Sequence, residues 1–558
     1  MKPAGCLSSS TVPKTPSSVL TINNIRVPPA VVYVVVAVGL VVGTAVLRGQ
    51  AISEWGLLNP DEASLMAWAR AARLSPVPWS TWEPGTTGPY WTLFLAGLGA
   101  LGAPLTLAFA HLLSAVLLAL IASALFVAAS RAVGWGPGLA VTVLWWFPIA
   151  TTWLVGIPGE FSALSTEYLP LLLVMASALV PREKLATRPW LFAVLGMLAG
   201  FAVGAKYQVA PLAAAFAAAQ LIVLRPSVKR TVVSVLWWLA GAVLPVAAVL
   251  LVMVASPTTN WTLFQQNFSV LVFYEVDRSQ MQLGVLGGGR VESSVAALIG
   301  GYFGPGYYLL VVLAGLIWLS RHSERRSNLA RVVLLAGGLT AVLAGGMGSA
   351  HYLILLFGAV GLAATMPVKP GARLFPQRLS PAVLVGALAM TAAVVLVFVF
   401  GHVIHRMRFI IPLSPHAAAA ALSPGSVNRE PALARVCRPG SKAIVWGWAA
   451  ELYVAQDWQS TVPYMNVGTL AVGSNREAGE PFVRAGIDQA DCIVDATLMK
   501  RPACSDPRPE QLGWCLPVKF SLPRFYPQLV PLIGRQFHTV PVTASCDGCT
   551  VYVRNLSS

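Results

Sequence analysis

Apolar runs long enough to cross ~30 Å of hydrocarbon recur along the chain near residues 27–47, 104–130, 138–157, 163–180, 189–205, 207–224, 231–255, 304–320, 332–348, 350–367 and 380–401, eleven in all. This pattern predicts a polytopic α-helical membrane protein with about 11 transmembrane helices. The stretch YWTLFLAGLGAL, Tyr90 to Leu101, is apolar too, but its 12 residues suit an interfacial or re-entrant helix better than a crossing one. After residue 401 the apolar runs give way to mixed, Pro-punctuated sequence. Short strand-like runs follow at Ala443–Trp448, Cys492–Val494 and Thr550–Val553, predicting a small α/β domain over 402–558. Residues 1–26 are rich in Ser, Thr and Pro and have no apolar core, so a disordered tail is expected there.

Charge orients the spans. If Tyr90–Leu101 does not cross and the first residues are cytoplasmic, the inner segments before residue 400 hold 17 Lys and Arg and the outer ones six: Arg48, Arg70, Arg73, Lys206, Arg278 and Arg290. A crossing there would reverse these counts. The positive-inside rule therefore places the first residues in the cytoplasm and the C-terminal domain outside, in the periplasm or cell exterior, with the chain in the cytoplasmic (inner) membrane. Nine of the eleven acids before residue 400 then fall on the outer side: Glu54, Asp61, Glu62, Glu83, Glu160, Glu167, Glu275, Asp277 and Glu292. Acid-dependent chemistry is expected at that face.

Composition agrees. Of 558 residues, 56% are hydrophobic and 11% charged, which excludes a soluble multidomain protein. The net charge of +16 is accounted for by basic loops. No basic-aromatic module appears, so no nucleic-acid partner is expected.

The first outer loop, about 48–103, carries Asn59-Pro60-Asp61-Glu62, followed by Trp68, Trp79, Trp82 and Glu83 and a Gly88-Pro89 break. A carboxylate beside an apolar surface tends toward general-base basicity. The same residues suit a helix start, with Asn59 or Asp61 as cap and the acids favouring the dipole. Local sequence leaves the two readings equally open. A second outer loop, about 256–303, contains WTLFQQNF, the cluster Glu275–Arg278 and the run GVLGGGR, and reads as a cover over the site.

Taken in order, these motifs resemble the glycosyltransferase C superfamily of polyprenyl-phosphate-sugar-dependent membrane enzymes, which includes protein O-mannosyltransferases and the lipid A aminoarabinose transferase. The resemblance covers nearly the whole chain. Pro60-Asp61-Glu62-Ala63 matches the Asp-Glu pair after the family's first span, and Gly88-Pro89-Tyr90-Trp91 matches the turn into a short amphipathic helix. His111-Leu112-Leu113-Ser114-Ala115 matches the opening of the second span, with His111 where the family has Arg. Glu160 and Glu167 are candidates for the family's second acid, between the third and fourth spans. GMLAGFAVGAK, ending in Lys206, and His351-Tyr352 match a Gly-rich span with a terminal Lys and a late outer aromatic motif. Val445-Trp446-Gly447-Trp448 with Glu451-Leu452-Tyr453 is similar to the soluble tails of bacterial members.

The resemblance implies transfer of a sugar, hexosyl or pentosyl, from a polyprenyl-phosphate donor to an acceptor hydroxyl on a glycan, lipid or protein, beside membrane lipid. It implies Asp61, with Glu62 beside it, as catalytic residues, Asp61 being the general base. Lys206, His111, His351, Tyr352, Arg278 and Arg290 are the candidates for the donor phosphate, whose charge must be balanced. Mg²⁺ or Mn²⁺ could bridge that phosphate and an acid; cofactor and metal are left unknown. Snorkelling accounts equally well for Lys206, and ordinary buried or interfacial hydrogen bonding for His111 and His351.

Two other classes stay open. A transporter would also have many Gly- and Pro-interrupted spans, though the charges lie at the outer boundary and no inverted repeat is visible. A non-catalytic envelope assembly protein would not need Asp61. Six of the seven cysteines, Cys437, Cys492, Cys504, Cys515, Cys546 and Cys549, lie in the C-terminal domain and are expected in disulfides rather than on metal, with Cys504–Cys515 and Cys546–Cys549 the nearest pairs.

Overall fold

The computed structural model describes residues 20–22, 25–53, 59–85, 87–155, 162–273, 315–317, 319–344, 350–369, 415–423, 431–465, 470, 475–497, 499, 520–541, 546 and 548–555. It is a helical bundle with a small mixed-sheet domain seated on one end. The bundle helices are α1 (Pro29–Ser53), α2 (Pro60–Leu74), α3 (Pro89–Ala100), α4 (Leu107–Val133), α5 (Trp135–Val155), α6 (Tyr168–Ser177), α7 (Leu191–Ala205), α8 (Ala210–Leu224), α9 (Val228–Ala255), α10 (Trp261–Phe273), α11 (Arg325–Ala344) and α12 (Leu353–Ala364).

Five helical segments, 29–49, 107–133, 207–224, 228–255 and 325–344, are long and apolar enough to cross a membrane. Helices α6, α7 and α12 are apolar but hold only 10, 15 and 12 residues. The eleven expected spans thus meet shorter helices at several positions; the expected span at 380–401 and most of that at 304–320 lie outside the described residues. Helix α3, in the doubtful stretch, has 12 residues. At 1.5 Å per residue it is about 18 Å long, well short of the hydrocarbon core.

Apolar side chains face outward where helices meet no neighbour. Leu236, Leu244, Leu251 and Val254 of α9 are exposed, as expected of a lipid-facing surface. Its inner face packs on α7, where Gly196 and Gly200 sit so close to the Trp238 and Ala242 carbonyls that a β-carbon would collide with them. Small residues four apart let helices approach in this way.

Helix α10 is two-faced. Leu263, Gln266 and Asn267 are buried, while Trp261 and Phe268 on the opposite side are 45% and 55% exposed. The buried side meets the C-terminal domain. That domain has strands β1 (Lys442–Trp446), β2 (Gln459–Ser460), β3 (Cys492–Asp495), β4 (Phe537–Val540) and β5 (Thr550–Arg554), in the order β2-β1-β3-β5-β4. Strand β1 is parallel to both its neighbours, β2 and β3, and β5 runs antiparallel to β3 and β4. Helices α13 (Glu451–Gln456) and α14 (Asn475–Gln489) accompany it. All three strand-like runs of the sequence are strands, and β3 is buried throughout its length, as its unbroken apolar pattern requires.

Disulfides join Cys437 to Cys492 and Cys546 to Cys549. The second is the expected local pair. The first ties the chain before β1 to β3 and was not among the pairs the sequence singled out; Cys504 and Cys515 lie outside the described residues.

Candidate active site

Helix α2 starts as its sequence requires. Asn59 is the cap: its side chain accepts from the Asp61 backbone N–H at 2.8 Å, while Glu62 reaches back to the Asn59 N–H, closing a capping box with Pro60 at the first turn. Asp61 is therefore not needed as a cap. Its side chain is 52% exposed at the mouth of the bundle.

Glu62 turns the other way. Fully buried, it accepts from the Leu164 N–H at 3.1 Å and lies 3.1 Å from Nε2 of His111 on α4. It thereby ties α2 to α4 and to the segment before α6. Asp61 is half exposed and Glu62 fully buried, so the two neighbouring acids sit in different surroundings. Among the described residues no three His, Cys, Asp or Glu side chains group as metal ligands.

Behind Asp61 lies a charged cluster. Lys206, just after α7, is buried and places Nζ 3.3 Å from Glu167 Oε1 while donating to the Thr166 hydroxyl at 2.9 Å. Glu167 also accepts from the Ser165 and Thr166 hydroxyls. A buried charge is costly unless paired and hydrogen-bonded, and here both ions are. Lys206 Nζ lies 5.3 Å from the centre of the Tyr352 ring, and the His351 imidazole packs edge-on against that ring at 4.7 Å. His351 Nε2 in turn stands 3.7 Å from Asp61 Oδ2.

Two features hold this cluster in place. The Gly88 N–H donates to the Ala205 carbonyl at 3.0 Å, and Gly88 is pressed against the Gly204 carbonyl, so the turn into α3 is fastened to the end of α7 beside Lys206. Trp91 of α3 donates to the Thr166 carbonyl at 2.9 Å. The Gly-Pro break of the sequence is thus a seam beneath the site.

The C-terminal domain sits at the same end. Arg70 of α2 pairs with Asp457 at 3.0 Å, and the Glu83 N–H donates to the Pro463 carbonyl at 3.3 Å. Asn267 of α10 donates to Glu83 at 2.8 Å and to the Gly85 carbonyl at 2.6 Å and accepts from Trp79 at 3.1 Å. Gln266 accepts from Tyr464 and, through its carbonyl, from Asn475 at 3.2 Å. The described part of the second outer loop, through residue 273, is therefore a packed strut between the first loop and the C-terminal domain. Tyr464 is pushed far above its ordinary range by burial, with the nearby Glu83 charge acting in the same direction.

Of the sequence candidates, the structure brings together Asp61, His351, Tyr352, Lys206 and Glu167, and packs Glu62 with His111 one layer deeper. Glu160, Arg278 and Arg290 lie outside the described residues. Arg48 was counted in the sequence only as an outer base. Buried at the end of α1, it donates to Ser114 at 2.9 Å, the Ile149 carbonyl at 3.0 Å and the Tyr168 hydroxyl at 2.9 Å. A charge closing an otherwise uncharged apolar run was the available signal for it. Thr166 and Asn267 carried no such signal.

No family model and no curated protein sequence matches the chain. Among solved structures, it is similar to the crystal structure of ArnT from Cupriavidus metallidurans bound to undecaprenyl phosphate. The match has a TM-score of 0.50 at 14% identity and covers 95% of this chain and 98% of that one. A likeness of this extent at this identity speaks to architecture: the chain shares the overall fold of that protein.

Proposed function

We propose that the protein is an integral membrane glycosyltransferase that moves a sugar from a polyprenyl-phosphate donor to an acceptor hydroxyl at the outer face of the cytoplasmic membrane. The observation that carries this reading is the position of Asp61: a carboxylate half exposed at the surface, relieved of capping by Asn59, 3.7 Å from His351, whose ring packs on Tyr352 beside the Lys206–Glu167 pair, in a fold shared with ArnT. In this reaction Asp61 takes the proton of the acceptor hydroxyl as its oxygen bonds to the anomeric carbon. The bond from that carbon to the phosphate oxygen breaks, and the polyprenyl phosphate leaves with the electron pair. Direct displacement inverts the anomeric centre.

Lys206 is the cation nearest the phosphate in this reading, held upright by Glu167, Thr166 and the Tyr352 ring. Sidedness rests on the 17-to-six basic asymmetry. Consistent with it, the half-buried Arg182 and the buried Arg331 lie at the other end of the bundle, donating to the Thr365 and Met366 carbonyls beyond α12, each at 2.9 Å.

The test is release of undecaprenyl phosphate from undecaprenyl-phosphoryl sugars, extracted from native membranes, by the protein reconstituted with native envelope as acceptor. Asp61→Asn at equal protein level is expected to lower turnover by about 10²-fold. Unchanged turnover would reject the assignment, and solute uptake into sealed vesicles without lipid turnover would replace it with a transporter.

A further inference from the structure

We propose that Asn267 of α10 is a positioning residue for Lys206, holding in shape the bend of the first outer loop that fastens the end of α7. This rests on Lys206 being the cation that meets the donor phosphate, as in the reading above.

The bend from Trp79 to Gly88 has a shape that its sequence does not favour. Trp79 has a φ of 53° and Gly85 one of 60°. Glycine enters this left-handed region freely. A bulky residue there is strained, and it stays only where its surroundings over-determine it. For Trp79 those surroundings are α10. The backbone N–H of Asn260, just ahead of that helix, donates to the Trp79 carbonyl at 2.8 Å, and the Phe264 ring meets the indole edge-on at 5.0 Å. Asn267 Oδ1 accepts from the indole Nε1 at 3.1 Å. The Nδ2 of the same amide donates to the Gly85 carbonyl at 2.6 Å and to Glu83 at 2.8 Å, while Glu83 accepts from the Gly85 N–H at 2.6 Å. One buried side chain thus joins both left-handed residues.

The far end of the bend meets the site. The Thr87 N–H donates to the Pro84 carbonyl at 3.1 Å, the Gly88 N–H donates to the Ala205 carbonyl at 3.0 Å, and Lys206 follows Ala205. Gly88 is pressed against the Gly204 carbonyl, so the two backbones move together. A change in the bend is therefore passed to the end of α7, where Lys206 reaches Glu167 and Thr166. Misplacing a binding group by about 1 Å from a distance lowers function by as much as ~10²-fold. Asn267 acts through the bend, and no bond of the reaction is made or broken by it.

The experiment uses the full chain in liposomes and reads binding of undecaprenyl phosphate alone, KM and kcat for undecaprenyl-phosphoryl sugar, and the melting temperature. Asn267→Leu keeps the volume and removes the bonds to Trp79, Glu83 and Gly85. It is expected to weaken undecaprenyl phosphate binding by about tenfold or more and to raise KM in parallel, with kcat largely kept. Cys437→Ser, which lowers stability through a bond outside the bend, should bind as wild type at an equal or lower melting temperature. Asn267→Asp keeps the acceptor for Trp79 but turns a carboxylate toward Glu83. Adding Glu83→Gln returns a donor between the two and should recover part of the lost binding.

Wild-type binding of undecaprenyl phosphate by Asn267→Leu, whatever its melting temperature, would make the amide a brace for folding alone and overturn the proposal. So would a loss of kcat with binding kept, or a loss of binding no greater than that in Cys437→Ser. If Asn267→Leu does not fold, equal binding by Asn267→Asp with and without Glu83→Gln overturns it instead. Wild-type binding by the Lys206→Met, Glu167→Gln double variant is a separate outcome: it removes Lys206 from the donor site, and the proposal falls with it. The binding measurement needs no turnover, so a wild-type protein that binds undecaprenyl phosphate but transfers no sugar rejects the transferase reading and leaves this test readable.

Discussion

Lys206 and Glu167, separated by 39 residues of sequence and set at the ends of different helices, form an ion pair of 3.3 Å with both side chains shut away from the surface. The pair has two jobs that can be separated. It keeps two charges tolerable inside the bundle, and in the proposed reaction it presents an ammonium to the donor phosphate. Lys206→Met alone is expected to cost about 3–5 kcal/mol, because it strands the Glu167 carboxylate. Lys206→Met with Glu167→Gln should regain most of that stability in thermal melts yet still fail to bind undecaprenyl phosphate. Wild-type binding by the double variant would show that the lysine serves packing alone.

Asp61 and Glu62 are neighbours with opposite expected phenotypes. Asp61→Asn should leave the melting temperature unchanged, since Asn59 supplies the cap. Glu62→Gln keeps the size but turns an amide toward backbone N–H groups that the carboxylate now satisfies. A loss of about 1–3 kcal/mol is expected from that mismatch, read as a lower melting temperature with turnover per folded molecule largely kept. A thermally silent Glu62→Gln that abolishes turnover would reverse the assignment of roles.

Gly88→Ala tests the seam beneath the site. A β-carbon there would fall inside van der Waals contact of the Gly204 carbonyl oxygen, which is backbone and has no flexible end to move aside. The expected cost is about 1–3 kcal/mol, together with weaker undecaprenyl phosphate binding as the end of α7 shifts. Gly97→Ala, where a β-carbon meets open space on the adjacent α3, is the control and should be neutral or slightly stabilising.

The two disulfides should differ in worth. Cys437–Cys492 closes a separation of 55 residues and Cys546–Cys549 one of three. Longer loops lose more freedom in the unfolded chain when closed. Cys437→Ser is expected to cost about 2–5 kcal/mol and to expose the C-terminal domain to proteolysis, whereas Cys546→Ser should cost clearly less.

Much of the architecture was legible because it depends on short-range pattern. The apolar runs placed the helices, the unbroken run at Cys492–Val494 marked a buried strand, and Asn59-Pro60-Asp61-Glu62 announced a helix start. The length of Tyr90–Leu101 announced a helix too short to cross. Sequence by itself also brought Asp61, Lys206 and His351 to one end of the bundle, since alternating spans and the basic asymmetry leave them no other.

Tertiary structure decided the rest. Whether Asp61 or Asn59 caps α2 turned on which side chain reached which N–H, and both residue types cap equally well. Glu62 found His111 because α4 returns past the start of α2, and Lys206 found Glu167 because α6 and α7 pack side by side. Cys437 met Cys492 because β1 and the chain before it lie against β3. Helix ends in a bundle meet across long separations, and composition and periodicity report only what lies within a few turns of each residue. Which of several like-charged residues at a membrane face become partners is settled by the crossing of helices, and that is where this chain acquires its candidate chemistry.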